Sequence, residues 1–186
     1  MLINWSKTVI LTGSLVTFVA IASASATKFD FGTTPTAAEI AAIDIDVMPD
    51  GRGLPAGSGT PAEGAKVYAA TCAACHGNKL QGVAAAGGAA LIGGRGSIGT
   101  PKTKKTVESY WPYASTLFDY VRRAMPLNEP GSLSNDEVYA LSAYVLSKAN
   151  IIGDKDIMNA KTLPKVDMPN KDGFISDPRP DVFNYR

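Results

Sequence analysis

The chain holds two cysteines and one histidine, and all three stand together in Cys72-Ala73-Ala74-Cys75-His76. Cys-x-x-Cys-His is the spacing at which haem is attached covalently to a polypeptide. Thiols three residues apart lie on one side of a helix, where they can add to the two haem vinyl groups. The next residue then directs its imidazole at the iron. Three other chemistries compete. Structural zinc needs a fuller set of Cys and His ligands than this chain owns. A redox-active dithiol belongs beside a βαβ pattern, and none is present. A Cys72–Cys75 disulfide suits an exported protein but leaves His76 without a role. One attachment motif implies one covalent haem c.

With His76 spent on the proximal side, no second imidazole remains in the sequence. A low-spin electron-transfer haem must then take methionine as its sixth ligand, and the thioether also raises the reduction potential. Met48, Met125, Met158 and Met168 are the candidates. Met-Pro does not choose among them, because Met48, Met125 and Met168 all precede proline. Met125 is favoured because it ends a predicted helix after the haem motif and precedes the last long helix, so its loop can fold over the open haem face. Met48 and Met168 lie in terminal extensions, and an open or water-bound iron is the remaining reading.

The elements that must position these residues are marked by capping signals. Thr60-Pro61-Ala62-Glu63 combines an N-cap, a proline at the first helical position and a glutamate three residues after the cap. Gly64, Val67, Tyr68 and Thr71 then share a helical face that runs into Cys72. Residues 77–99 are rich in Gly and Ala, as suits a loop passing close to something large and flat. Residues 101–105 form a basic turn. Leu117, Tyr120, Val121 and Ala124 recur at helical spacing and stop at Met125-Pro126. Ser134-Asn135-Asp136-Glu137 is a second capping box, opening a helix in which Val138, Leu141, Tyr144, Val145 and Lys148 share a face and which ends near Asn150. Residues 36–43 predict a short helix, and residues 43–47 alternate apolar with Asp like a strand. No hairpin is indicated.

Outside this region the chain divides by composition. Residues 1–26 read as an export signal: Lys7 in a short n-region, an apolar run over residues 8–22, and an Ala24-Ser25-Ala26 cleavage site, so the mature chain begins near Thr27. Residues 27–59 form an acidic arm and linker, with the boundary in the Gly- and Pro-rich stretch 50–59. Residues 60–150 are the haem domain, and residues 151–186 an extended tail. Residues 27–50 carry one Lys against five acids, whereas residues 51–149 carry ten basic against six acidic residues. The mature chain is formally neutral, which argues against a nucleic-acid binder. Once the signal is cleaved, nothing remains to hold the chain in a membrane.

The run over residues 63–148 resembles the class I cytochrome c family: a helix into Cys-x-x-Cys-His, a Gly-rich loop, a helix into Met-Pro, and a terminal helix of the form Leu141-x-x-Tyr144-Val145. The resemblance implies an all-α fold, here with an N-terminal arm and an extended C-terminal tail. It implies that the first and last helices cross, with Gly64 and Tyr68 at the crossing. It further implies that a loop carbonyl holds the imidazole's second nitrogen. Where the family commonly has Gly-Pro-x-Leu this sequence has Gly88-Ala89-Ala90-Leu91, which points to Ala89. Arg95 in Gly93-Gly94-Arg95-Gly96 is similar to the family's loop arginine that meets a haem propionate, and a guanidinium offers a carboxylate a forked pair of donors. Trp111 and Tyr113 could bond propionates through ring N–H and hydroxyl, or wall the haem. Lys102, Lys104 and Lys105, with Arg122 and Arg123, form a candidate docking rim or a solvated face.

A closer likeness runs over residues 41–174. Ile45-Asp46-Val47-Met48-Pro49-Asp50-Gly51, Ser109-Tyr110-Trp111-Pro112-Tyr113-Ala114 and residues 118–126 and 161–174 resemble haem subunits paired with periplasmic sulfite or sulfur dehydrogenases. The resemblance implies a periplasmic electron carrier that is not itself an enzyme. Its donor would be a molybdenum-containing dehydrogenase subunit, and a downstream cytochrome c or oxidase would take the electron. No acid, base or nucleophile is assembled in the sequence. The alternative is a catalytic haem subunit that binds a sulfur substrate or small gas at the iron. A third possibility is a structural subunit whose haem serves only as a folding core.

Overall fold

Thr36, Thr60 and Ser134 each accept a hydrogen bond from the backbone N–H three residues on, and the glutamate there accepts one back from the cap's own N–H. These reciprocal bonds satisfy donors that a helix start would otherwise leave orphaned. In the computed structural model, which describes residues 31–177, they open α1 (Ala37–Ile43), α2 (Pro61–Thr71) and α5 (Asn135–Lys148). Between the last two come α3 (Ala73–His76), which carries the end of the Cys-x-x-Cys-His motif, and α4 (Ala114–Ala124). Among the described residues, the regular structure is helical apart from β1 (Ser58–Gly59) and β2 (Met158–Asn159), which pair antiparallel with Ser58 opposite Asn159. Short 3₁₀ turns cover Ala84–Ala86 and Leu163–Lys165. The predicted export signal lies outside the described residues. Among those described, no helix is long and apolar enough to cross a membrane.

α5 is the centre of the fold. Every residue from Val138 to Ser147 on it is buried, so it is covered on all sides rather than along one stripe. α2 crosses it at Gly64, where an added Cβ would lie 1.9 Å from the Ala140 carbonyl oxygen. One turn on, Tyr68 and Tyr144 pack with ring centroids 5.1 Å apart. α4 closes another side through Phe118 on Tyr139, centroids 4.4 Å apart.

The terminal extensions pack onto this helical core. Residues 50–59, whose composition reads as a linker, are tied to α5: the Tyr139 hydroxyl donates to the Pro55 carbonyl (2.9 Å), and the Ser58 N–H to Asp136 (2.7 Å). Gly59 lies on the Ala140 backbone, where a Cβ would come within 2.3 Å. Glycine here serves close approach as much as flexibility. Residues 151–177 bury Met158, Leu163 and Met168, and Asn170 reaches the Tyr110 carbonyl at 2.7 Å. Their apolar residues are spaced by the surface they cover, so no helical or strand period announces them.

The expected strand over residues 43–47 does not form; strand pairing occurs instead at β1 and β2. The Val47 N–H donates to the Asp119 carboxylate on α4 at 3.0 Å. The alternating segment therefore has a helix for its partner.

Candidate haem site

Cys72 ends α2 and precedes α3, with φ −117° and ψ −34°. Its N–H donates to the Tyr68 carbonyl (2.9 Å), and its own carbonyl accepts from Cys75 and His76. The motif is therefore almost continuous with α2, and the helix that crosses α5 also fixes the thiols. Cys72 and Cys75 are not joined in a disulfide; Cys72 is half-buried and Cys75 exposed. Burial pushes the Cys72 thiol up, partly offset by its contact with the Thr71 hydroxyl.

The backbone carbonyls of this segment are held in turn. The Cys75 carbonyl accepts from Val83 at 2.9 Å and the His76 carbonyl from Gly82 at 2.7 Å. The Gly77 carbonyl accepts from the Tyr68 hydroxyl at 2.8 Å. Gly88 lies flat on the motif, where a Cβ would stand 1.9 Å from the Cys75 oxygen. This approach lets the next residue reach the imidazole: His76 Nδ1 is 2.7 Å from the Ala89 carbonyl oxygen. A carbonyl can only accept, so Nδ1 is the donor, and Nε2 is the nitrogen left for a metal.

Among the described residues no group of three or more His, Cys, Asp or Glu side chains is gathered to hold a metal ion directly. That separates the motif from a zinc cluster. A group that takes both thiols covalently and meets only the imidazole through its metal fits it. Leu91, Ile92, Trp111 and Val121 touch the core and are only partly buried. Haem c fits this donor set, and Cys72, Cys75 and His76 are the residues that would hold it.

The methionines separate by surroundings. Met158 and Met168 are fully packed in the core, and Met48 is exposed on the arm. Met125 is half-buried at the C-terminal end of α4, where its N–H still donates to the Val121 carbonyl at 3.1 Å.

Comparison with known proteins places the chain in a family. The family model for cytochrome c matches residues 61–149. Among solved structures, a chain of the sulfane dehydrogenase SoxCD from Paracoccus pantotrophus is 39% identical with a TM-score of 0.75, the match covering 85% of this chain and 76% of that one. The chain belongs to the cytochrome c family. Among curated proteins nothing matches significantly. The cytochrome is accordingly an electron-transfer protein of the haem c class.

The remaining residues of interest in this cytochrome divide. Arg95 is held by protein partners: Nε meets Glu108 at 3.1 Å and one Nη donates to the Ala149 carbonyl at 2.7 Å, which leaves other donors of its fork unused. Glu108 also accepts the Gly93 N–H at 2.5 Å. The guanidinium thus fastens the loop to the C-terminal end of α5, where unsatisfied carbonyls attract a cation. Trp111 is half-buried and edge-on to Tyr120, centroids 5.7 Å apart. Tyr113 is exposed, opens α4 without a side-chain cap, and lines a cavity of about 290 Å³ with Pro49, Pro164 and Lys171.

The candidate rim is more engaged than a solvated basic face. Lys104 donates to the Ile92 carbonyl (3.2 Å), Lys105 lies 4.9 Å from the Tyr110 ring centroid, Arg122 reaches the Ile45 carbonyl, and Arg123 pairs with Asp119 and Asp46. Sequence reasoning missed Glu108 and Asp119. Glu108 carries no local signal. Asp119 had one: Ser115, Asp119, Arg122 and Arg123 make a polar stripe at helical spacing on a helix whose other residues, Thr116 apart, are mainly apolar.

Proposed function

We propose that this cytochrome carries one haem c, attached through Cys72 and Cys75, with His76 and Met125 as axial ligands. It works in the periplasm, taking single electrons from a molybdenum-containing dehydrogenase subunit that oxidises sulfite or a related sulfur compound. It passes them to another cytochrome c or an oxidase. The observation that carries the reading is the Nδ1 contact of His76 with the Ala89 carbonyl (2.7 Å), which orients the chain's sole imidazole with Nε2 free. Likeness to a chain of a sulfane dehydrogenase supports the partner class.

Bound haem supplies a one-electron couple. The protein's part is to hold both ligand side chains still across that change, which keeps reorganisation small. Ala89 fixes the imidazole's rotation and makes it a better donor. The thioether of Met125, a soft ligand, favours ferrous iron and raises the potential.

The ligand assignment is tested with Met125→Ala. Haem should stay attached, the ferric near-infrared methionine-to-iron band should vanish, and the potential should fall. The same loss in Met48→Ala or Met168→Ala, with Met125→Ala unaffected, would refute it. The partner is tested by stopped-flow reduction of the ferric protein by a sulfite dehydrogenase with sulfite, across salt concentrations. Reduction no faster than by sulfite alone would reject the assignment. Steering by the basic residues would appear as a rate that falls with salt.

A further inference from the structure

The contacts between the arm and α4 follow a register. The Ser115 hydroxyl donates to the Pro49 carbonyl (3.1 Å), Asp119 accepts the Val47 N–H (3.0 Å), and Arg122 donates to the Ile45 carbonyl (3.3 Å). Arg123 lies between Asp119 and Asp46, 3.3 Å from the latter. Residues 115, 119, 122 and 123 share one helical face, and they meet arm residues 49, 47, 45 and 46 respectively, so the arm runs back along the helix. A non-helical chain advances about 6.6 Å in two residues against about 5.4 Å for one helical turn. Every second arm residue can therefore present a backbone group to the next turn of α4. Asp119 is the pivot, with its side chain only 12% exposed and its two oxygens divided between the arm backbone and Arg123.

The clasp grips the end of α4 that matters most. Arg122 and Arg123 belong to its last turn, and Met125 follows two residues after Arg123. Helix ends fray, because the last turn's carbonyls lack partners and local opening there costs little. Resting on the assignment of Met125 to the iron, we infer that Asp119 is a positioning residue for the sixth ligand. By binding the arm along α4 it suppresses fraying of the last turn and keeps the Met125 thioether over the haem. The arm is thus part of the redox site although it supplies no ligand.

The test uses the full-length holoprotein and compares Asp119→Ala with wild type and with Glu39→Ala, which breaks only the α1 cap. Three readouts are taken: hydrogen exchange of the Val47 amide, the rate at which added imidazole displaces the sixth ligand of ferric haem, and the near-infrared methionine band. Asp119→Ala should speed Val47 exchange and imidazole entry on the order of tenfold, the effect of one charge-assisted hydrogen bond on a local opening equilibrium. It should also weaken the band, while Glu39→Ala behaves as wild type. Asp119→Asn, which keeps an acceptor for Val47 but loses the charge facing Arg123, should fall between, and it carries the comparison if the alanine variant does not accumulate. Faster Val47 exchange with unchanged imidazole entry would overturn the inference alone. A wild-type protein without the methionine band would overturn the Met125 assignment and this inference with it.

Discussion

Gly64→Ala puts one methyl group into the tightest contact of the fold. The new Cβ would lie 1.9 Å from the Ala140 oxygen, 2.5 Å from its carbonyl carbon and 2.8 Å from the Tyr144 Cβ, where real Cβ atoms essentially never come under 3.0 Å. Two of these neighbours are backbone in the buried stretch of α5, so they cannot step aside as a flexible side chain would. α2 must move off α5 by about 1 Å, and a gap of that size forfeits a quarter to a half of each van der Waals contact it opens. Overpacking of this kind costs about 1–3 kcal/mol, and loosening the Tyr68–Tyr144 pair adds about 0.5–1.5 kcal/mol. Alanine's better helix propensity returns about 1 kcal/mol. The net is a loss of about 2 kcal/mol, within a range of about 0.5–3.5 kcal/mol, or roughly 4–8 °C in melting temperature for a chain of this size. Far-UV circular dichroism melts give the number. Gly87→Ala is the control: with φ +72° and nothing within 4 Å, it carries only the left-handed backbone cost of about 1–2 kcal/mol and leaves the helix crossing intact. A Gly64→Ala protein as stable as wild type would show that the helices do not meet as described.

Arg95→Ala should cost about 1–2 kcal/mol of stability through the lost bonds to Glu108 and the Ala149 carbonyl, with the reduction potential little changed. A large potential shift at unchanged stability would return Arg95 to the propionate role. Burial pushes the Tyr139 hydroxyl from its ordinary 10.0 up to about 12. Because the folded value is the higher, the contribution is fully present below pH 10 and drains away as pH rises towards 12. Tyr139→Phe should lose about 1 kcal/mol at neutral pH with the bond to Pro55 but show a shallower decline in alkaline melts. Equal slopes in the two proteins would refute the burial argument.

The parts of the fold that were legible in the sequence are those governed by neighbours along the chain. The capping boxes at Thr60 and Ser134 are local hydrogen-bond circuits closed within four residues, so reading them placed the starts of α2 and α5; the box at Thr36 closes in the same way but went unread. The chemistry of Cys72, Cys75 and His76 was equally local, because thiol spacing on one helix side fixes what can be attached there. The contact of Ala89 with His76 followed from resemblance, and it survives the missing proline because the bond uses a backbone carbonyl that any residue provides.

What the sequence could not fix depends on groups far apart in the chain. Arg95 reads as an anion binder wherever it stands. Only the fold brings Glu108 and the C-terminal end of α5 within its reach. Residues 50–59 and 151–177 have the Gly, Pro and charge of loose connections, yet Gly59 on Ala140 and Met168 in the core bind them to the domain. Irregular segments that cover a helix take their spacing from that surface. The alternation over residues 43–47 was a real signal attached to the wrong partner: backbone donors and acceptors require satisfaction, but they do not specify whether a strand or the side chains of α4 will provide it. Residue types and near spacings thus determined the chemistry this chain can perform, while tertiary structure decided which groups hold it in place, because burial and pairing are properties of the surface met and not of the residue that meets it.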